Sequence, residues 1–429
     1  NTNNNITQID IPYNSQIHFI NSPAGYGKTY LLNTIIASYL IDEVLTVATT
    51  GIASSLLIGA NTAHSTFKIP LCVYNDSAVC DLQDINTINT IKKCKLIIYD
   101  EISCASKYVV NAVDRLLQSI LNTKQIFGGK IVIFAGDYRQ CLHIQKGATF
   151  SQIVNTTLLK AIWWKHVIIH TLHISMRINS HYYPHFANFI LSIGNKTSEI
   201  YKPKVNKQYN KHPIIIPSKF KFNGSIEQLI EWTYPTLNNV DSPLSAISAF
   251  ENSAILCPFT GIKNTSQIFR IQQACKQINE KAVTMLCGQS YLMPSTDWTT
   301  NNEASAELYS DEILNTIERS NFPPHKLHLK VFMPVVLLRN YDKKRKLCNG
   351  TKLIIIKIDK YMLTLRRAKS PYEIVHLCRW DMYTSENLPF TLGRRQFPIR
   401  PAFAFTIHKA QGQSLHRVGI FLPYPVFTH

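Results

Sequence analysis

The chain has 429 residues, enough for two or three domains, and its 45% apolar content can build their cores. Forty-five lysines and arginines against 27 acidic residues leave a net charge of +18, which points to a polyanionic partner such as nucleic acid ahead of a merely basic surface. The ten cysteines include no CxxC pair, which argues against a zinc ribbon and a dense disulfide framework, and no apolar run reaches the length of a membrane span.

The start carries no signal-peptide pattern, and an intracellular setting is expected, nuclear if the source is eukaryotic. The opening "NTNNNITQ" is polar and has no initiator methionine, so a fragment is expected. "IHFI" (17–20) predicts a strand that runs into a glycine turn, and "TYLLNTIIASYL" (29–40) a helix. "VLTVAT" (44–49), "KLIIYD" (95–100) and "KIVIFAGD" (130–137) read as buried parallel strands. Between the last two, Val109, Val113, Leu116, Leu117 and Ile120 recur at helical spacing. The pattern is that of an α/β domain over residues 1–180. Residues 181–243 read as a connector, basic and with prolines. A second α/β stretch begins near "SAILCPFT" (253–260) and occupies 244–329 and 390–429. Between these parts, 330–389 reads as a small inserted β-domain with strands in "LKVFMPVVLL", "TKLIIIKI" and "YMLTLRR".

"SPAGYGKT" (22–29) follows the phosphate-binding pattern G-x-x-x-x-G-K-[ST] except that Ser22 replaces the first glycine. The loop Pro23, Ala24, Gly25, Tyr26 and Gly27 would aim backbone N–H groups at phosphate oxygens ahead of a helix. Lys28 supplies charge at the β- and γ-phosphates, and the Thr29 hydroxyl a ligand for Mg²⁺. The first glycine only shapes the loop entry, and serine is small enough to stand there. "KLIIYDEIS" ends a strand in Asp100-Glu101. An aspartate at a strand tip can hold Mg²⁺ through water, and the adjacent glutamate can polarise an attacking water. Such a pair alone could be a solvated turn; with the phosphate loop it points to nucleotide hydrolysis.

"FAGDYRQ" (134–140) places Asp137 and Gln140 after a third strand. Read locally, they fit a polar turn and a γ-phosphate sensor equally. "TTGIASSLLIGANTAHSTFKIP" (49–70) combines small residues and hydroxyls with His64, Phe67 and Lys68. Small residues let a sugar-phosphate backbone approach, hydroxyls and Lys68 bind phosphate, and rings stack on bases. Taken singly, Phe67 reads better as core and His64 as a turn residue; the segment as a whole reads as facing a strand. "FAFTIHKAQGQSL" (403–415) joins an apolar strand to His408, Lys409, Gln411 and Gln413. "DKKRK" (342–346) reads as a solvated hairpin tip.

These motifs fall in one order along one chain: "SPAGYGKTYLL", the 49–70 segment, "LIIYDEIS", "IFAGDYRQ", "LHISMR", "FPPHKLHLKV", "LCNGTKL", "RRQFPIRPAFAFTIHKAQGQSL" and "LPYPVFTH". Together they resemble the PIF-type DNA helicases of superfamily 1, most of all the helicase half of Helitron rolling-circle transposon proteins. The resemblance spans nearly the whole chain. It implies two RecA-like P-loop domains of α/β class with parallel sheets, and a small β-barrel inserted in the second over 330–389. It implies ATP and Mg²⁺ as cofactors, single-stranded DNA and duplex junctions as partners, 5′→3′ translocation and duplex unwinding. Lys28 and Thr29 then match the phosphate and metal residues, Asp100 and Glu101 the metal-binding and water-activating pair, and Gln140 the γ-phosphate sensor. Arg177, in "SMR", matches an arginine that reaches the γ-phosphate from the domain cleft, and Gln411 falls on the nucleotide side. Thr50, Gly51, Thr62, His64, Phe67, His408 and Lys409 fall in motifs that line DNA.

The family continues past "VFTH" into a motif of the form GQLYVALSR, whose arginine completes the ATP site. A chain without it is expected to be a poor motor. The family's N-terminal glutamine motif, which reads adenine, is not visible here; Gln8 is the only nearby candidate and sits in poor context. A replication-initiator nuclease domain is expected to have preceded residue 1 in the parent protein. The competing expectation is a single-stranded DNA-binding remnant impaired in ATP hydrolysis.

Overall fold

The computed structural model describes residues 16–70, 73–140, 143, 149–176, 184–195, 215–258, 265–300, 309–319, 322–342, 345, 347–368, 370–385, 388–413 and 415–423. The chain divides into two compact units between Lys221 and Phe222.

The first unit contains β1 (Ile17–Asn21), α1 (Lys28–Ala37), β2 (Val44–Ala48), α2 (Gly51–Leu56), β3 (Asn61–Thr62), α3 (Ala63–Phe67), α4 (Ile85–Lys93), β4 (Leu96–Asp100), α5 (Lys107–Leu121), β5 (Ile131–Gly136), α6 (Phe150–Asn155), β6 (Ile168–Thr171) and α7 (Pro184–Asn195). Its strands form one six-stranded sheet in the order β3-β2-β4-β5-β1-β6, parallel throughout. β4 lies inside the sheet and all five of its residues are buried, which is why "LIIYD" is an unbroken apolar run before its final acid. One sheet face packs Ile97, Tyr99 and Phe134 against Val109, Val110, Val113 and Leu117 of α5. The other packs Ile20, Leu96, Ile98 and Ala135 against Leu32 of α1. Strand alternation thus feeds two layers of helices from one set of strands. β6, at the edge, exposes all four of its residues.

The second unit contains α8 (Ile226–Thr233), α9 (Pro243–Phe250), β7 (Ser253–Cys257), α10 (Thr265–Met285), β8 (Ser290–Pro294), β9 (Thr296–Thr299), α11 (Asp311–Thr316), β10 (Lys326–Lys330), β11 (Pro334–Leu337), β12 (Lys352–Ile358), β13 (Met362–Arg367), β14 (Ser370–Cys378), β15 (Trp380–Thr384), β16 (Leu392–Gln396), β17 (Ile399–Pro401), β18 (Ala404–Thr406), α12 (Ile407–Ala410) and β19 (Arg417–Ile420). Its parallel sheet has the order β18-β7-β19. Asn279 of α10 stitches helix to sheet: its side-chain N–H donates to the Ala404 carbonyl at 2.8 Å, and its oxygen accepts from Phe403 and Ala404 N–H, each at 3.0 Å.

Three features differ from the sequence expectation. Residues from 222 onward belong to the second unit, and α8 buries Leu229 and Ile230 in that unit's core, so the second half of the 181–243 connector is structured domain. The antiparallel region is wider than 330–389: it starts at β8, ends at β17, and includes a five-stranded sheet β14-β13-β12-β11-β17 and a three-stranded sheet β15-β16-β9. "LKVFMPVVLL" is two strands, not one. Phe332 takes a left-handed φ of 69°, and the turn there sends β10 to pair with β8 and β11 with β12 and β17. At the "DKKRK" tip, Asp342 bridges to Leu347, and Arg345 donates from its side chain to Glu373 at 3.2 Å; residues 343, 344 and 346 lie outside the described residues.

The "RRQFP" run has a structural role. Arg394 is fully buried and binds Asp297 through two hydrogen bonds of 2.8 and 2.6 Å. It also donates to the carbonyls of Leu314, Ile317 and Pro323 at 3.2, 3.2 and 2.9 Å, which pins α11 and the following loop to β16. Gln396, also buried, donates to the Met293 and His325 carbonyls at 2.9 and 3.1 Å.

Candidate nucleotide and nucleic-acid sites

The loop between β1 and α1 owes its shape to two glycines. Gly25 and Gly27 have φ of 86° and 85°, in the left-handed region where side chains are strained. Gly27 is the N-cap of α1, and no side chain caps the helix start, which leaves the first-turn N–H groups for an anion. Ser22 shows why the missing first glycine is tolerated. It is not among the residues with positive φ, it is buried, and its hydroxyl donates to the Pro23 carbonyl at 3.1 Å. Met176 folds over the loop: its N–H donates to the Gly25 carbonyl at 2.8 Å. A Cβ at Gly27 would stand 3.5 Å from the Met176 side chain.

β4 delivers the acids to this loop. Lys28 Nζ lies 2.6 Å from Asp100 Oδ1 and 3.4 Å from Glu101 Oε1. Burial opposes the Lys28 charge, but the two carboxylates outweigh it and hold its pKa above the ordinary lysine value. Burial pushes the Glu101 carboxyl above its ordinary value; Lys28 pulls it down, while Asp100 and Asp137 add to the rise. Glu101 also has a left-handed φ of 53°, a strained conformation for a residue with a side chain. Its Oε2 is buried without a hydrogen-bond partner among the described residues. Unsatisfied buried oxygens are costly, and this one fits a water or metal-bound group supplied with the nucleotide. Thr29, the second residue of α1, stands beside Lys28 at the loop exit.

At the tip of β5, buried Asp137 accepts from Arg139 Nη1 at 3.1 Å, from Arg139 N–H at 3.0 Å and from Gln140 Nε2 at 3.2 Å. Gln140 is thereby tied to Asp137, whose charge acts on Glu101. Arg139 was not singled out from sequence; its signal was its place between Asp137 and Gln140. Arg139 also donates to Asn21 at the end of β1, at 3.3 Å, so one arginine ties two strand tips together. Arg177 lies outside the described residues, one position past Met176.

The 49–70 segment leaves the sheet next to the same acids. The Thr49 N–H donates to the Asp100 carbonyl at 3.1 Å. Thr50 caps α2 by accepting from Ala53 N–H at 3.2 Å, Gly51 opens that helix, and Thr62 caps α3 by accepting from Ser65 N–H at 3.4 Å. A cap uses an acceptor lone pair, so each hydroxyl keeps its proton to donate. His64 is half-buried, and burial lowers its pKa. Phe67 corrects the expectation of a stacking ring: it is fully buried, packed in the core with Tyr99 and Phe134, and cannot meet a base. Lys68 is exposed beside it.

In the second unit, α12 follows β18 and carries Lys409, half-buried, with burial and the charge of Arg400 lowering its pKa. The Lys409 carbonyl accepts from the Gln413 side chain at 2.9 Å, and Gln411 lies in the turn that follows. His408 lies on the same helix, but its side chain is outside the described residues.

A strand, a glycine loop on a helix N-terminus, and an acidic pair on a second strand inside a parallel sheet define a P-loop nucleotide-binding protein of RecA-like fold. The sequence pattern of the PIF1-like helicase family matches residues 2–202, and that of the DNA helicase Pif1 2B domain matches 312–358; together they cover more than half of the chain. Over these two stretches the chain is similar to PIF1-like helicases. It is 24% identical to the ATP-dependent DNA helicase PIF1 of Danio rerio over 413 residues, covering 94% of this chain and 54% of that protein. It is 21% identical to the ATP-dependent DNA helicase Pif1 of Bdellovibrio bacteriovorus over 412 residues, covering 95% of this chain and 78% of that protein. The chain thus spans about half the length of the vertebrate relatives it matches. In fold it is similar to Bacteroides Pif1 in complex with ADP-AlF3 and single-stranded DNA, with a TM-score of 0.62, 20% identity, and coverage of 95% of this chain and 83% of that one. Those neighbours share two RecA-like domains, and the two parallel sheets here correspond to that architecture.

Proposed function

We propose that this protein is an ATP-driven motor on single-stranded DNA that unwinds duplexes, working 5′→3′ and so engaging a 5′ tail. The observation that carries the reading is the Lys28 ammonium held at 2.6 Å from Asp100 and 3.4 Å from Glu101, at the mouth of a glycine loop. Lys28 and the loop N–H groups hold the phosphates, and Gln140, positioned by Asp137, reads the terminal one. Glu101 takes the proton of the attacking water; its raised pKa and unpartnered Oε2 suit that task. Thr29 and Asp100 would hold Mg²⁺, which supplies charge neutralisation on the phosphates. Arg177 is assigned a second role at the transferring phosphoryl group, from its place in "SMR".

DNA is gripped by Thr50, Gly51, Thr62 and His64 in the first unit and by His408 and Lys409 in the second. Gln411 is assigned to the nucleotide. The net charge of +18 supports phosphate contacts without sequence preference. The order of motifs through "RRQFPIRPAFAFTIHKAQGQSL" favours descent from a Helitron-type transposon helicase. The second reading, a DNA-binding remnant that no longer hydrolyses ATP, keeps the DNA contacts and drops the chemistry. Both require salt-sensitive binding. If six to ten phosphates are contacted, affinity for single-stranded DNA is expected to fall by roughly 10²–10⁴-fold between about 50 and 200 mM salt. Fluorescence anisotropy with a labelled oligonucleotide reads this, and an affinity that stays level contradicts the phosphate contacts.

A further inference from the structure

Two histidines meet at the edge of the six-stranded sheet in the first unit, and neither the nucleotide chemistry nor the DNA contacts use them. His18 lies on β1 and His170 on β6, which run parallel, with His18 opposite Ile168 and His170 opposite Ile20. Residues two apart along a strand share a face, so this register sets both imidazoles on the side of the sheet where Ile20 packs against α1. There His18 Nδ1 and His170 Nε2 are 3.1 Å apart, with ring centroids separated by 5.3 Å and the rings inclined at 33°. His170 is exposed and His18 half-buried, so the pair opens to solvent. Burial, and then the charge of His170, lower the His18 pKa, which favours the neutral ring whose lone pair binds metals.

We propose that His18 and His170 chelate a divalent transition-metal ion of the zinc class between β1 and β6. An ion bound by imidazole lies about 2.0–2.1 Å from each nitrogen. Two nitrogens at that range and 3.1 Å apart subtend roughly 100° at the ion, between the square-planar and tetrahedral angles, so the donor spacing need not change on binding. A neutral pair gives up no net proton. The ring that carries its proton on the facing nitrogen passes it, through solvent, to its other nitrogen, and both lone pairs then face the ion. Among the described residues no third histidine, cysteine or carboxylate joins the two, so water fills the remaining positions and the site is a surface chelate. β6 ends the sheet and pairs only with β1 among the described strands. The ion therefore clamps an edge strand to the strand that runs into the phosphate loop. The site stands whether or not that loop binds ATP.

The test titrates the chelator-stripped full chain with Zn²⁺ alone and follows the heat of binding. His18→Ala and His170→Ala should each weaken the tightest zinc site at least about tenfold, because a lone imidazole lacks the chelate advantage. The chain has 15 histidines, so the site is located in the wild type by diethyl pyrocarbonate footprinting and peptide mass spectrometry. At zinc about ten times the dissociation constant, modification of His18 and of His170 should slow about tenfold, since only the metal-free fraction reacts. His328 on β10, exposed in the second unit, is the internal control and should react at an unchanged rate. A chelator should restore the original rates. Zinc affinity that survives both substitutions, protection of His328 equal to that of the pair, or no protection of the pair overturns the proposal and leaves a hydrogen-bonded pair only. The wild-type footprint decides this even if a variant misfolds.

Discussion

Glu101→Gln is expected to bind ATP as the wild type does and to hydrolyse it about 10²–10⁴-fold more slowly, the range lost when a positioned general base is removed. The substitution keeps shape and a hydrogen-bonding group in the strained loop after β4, but glutamine cannot accept the water's proton. Lys28→Ala is expected to differ. It removes the ammonium that lies between the two acids and leaves Asp100 and Glu101 as adjacent, uncompensated carboxylates facing the phosphates. ATP binding and hydrolysis should both fail, while binding to single-stranded DNA remains measurable. Binding of a fluorescent nucleotide separates the two variants. Equal loss of nucleotide binding in both contradicts the role of Glu101, and ATP turnover by Lys28→Ala contradicts the phosphate loop.

Arg394→Ala is expected to lower the unfolding free energy by about 3–5 kcal/mol, the cost of leaving one partner of a buried ion pair alone. Among the described residues Asp297 would be left with Ser295 at 2.6 Å and His325 at 3.6 Å, and three carbonyls would lose their donor. The loss is a large share of an ordinary domain's stability. Denaturant titration followed by tryptophan fluorescence measures it. In the double variant with Asp297→Ala the costs should not add, with coupling above about 1 kcal/mol. A loss below about 1 kcal/mol for Arg394→Ala, or strict additivity, contradicts a buried anchor.

What was legible in the sequence was local. The phosphate loop needs glycine where the backbone turns left-handed ahead of Lys-Thr, and Gly25 and Gly27 stand at those places in "SPAGYGKT". β4 sits between two parallel neighbours, so its apolar run and terminal acids announce both strand and site. What failed depended on distant partners. Phe67 taken singly reads as core, but its motif put it with the DNA-lining residues; α3 turns its ring into a core built from β4, β5 and α5. The break at Phe332 hangs on a positive φ that aromatic residues seldom adopt, so the stretch reads as one strand. Arg394 meets Asp297 across 97 positions, and its burial is invisible in a chain with 45 basic residues. The extent of the antiparallel region followed the same rule, because β9 pairs with β16 from far upstream.

The central claim is that ATP hydrolysis at the β1–α1 loop is coupled to single-stranded DNA. Phosphate release by the full-length protein, measured with and without a single-stranded oligonucleotide at low salt, tests it most directly. The account predicts slow release without DNA, a rise of at least about tenfold with it, and loss of the stimulated rate in Glu101→Gln. Release that is the same with and without DNA would make this an ATPase of another kind, and DNA binding with no release at all would make it a binding protein; either contradicts the motor.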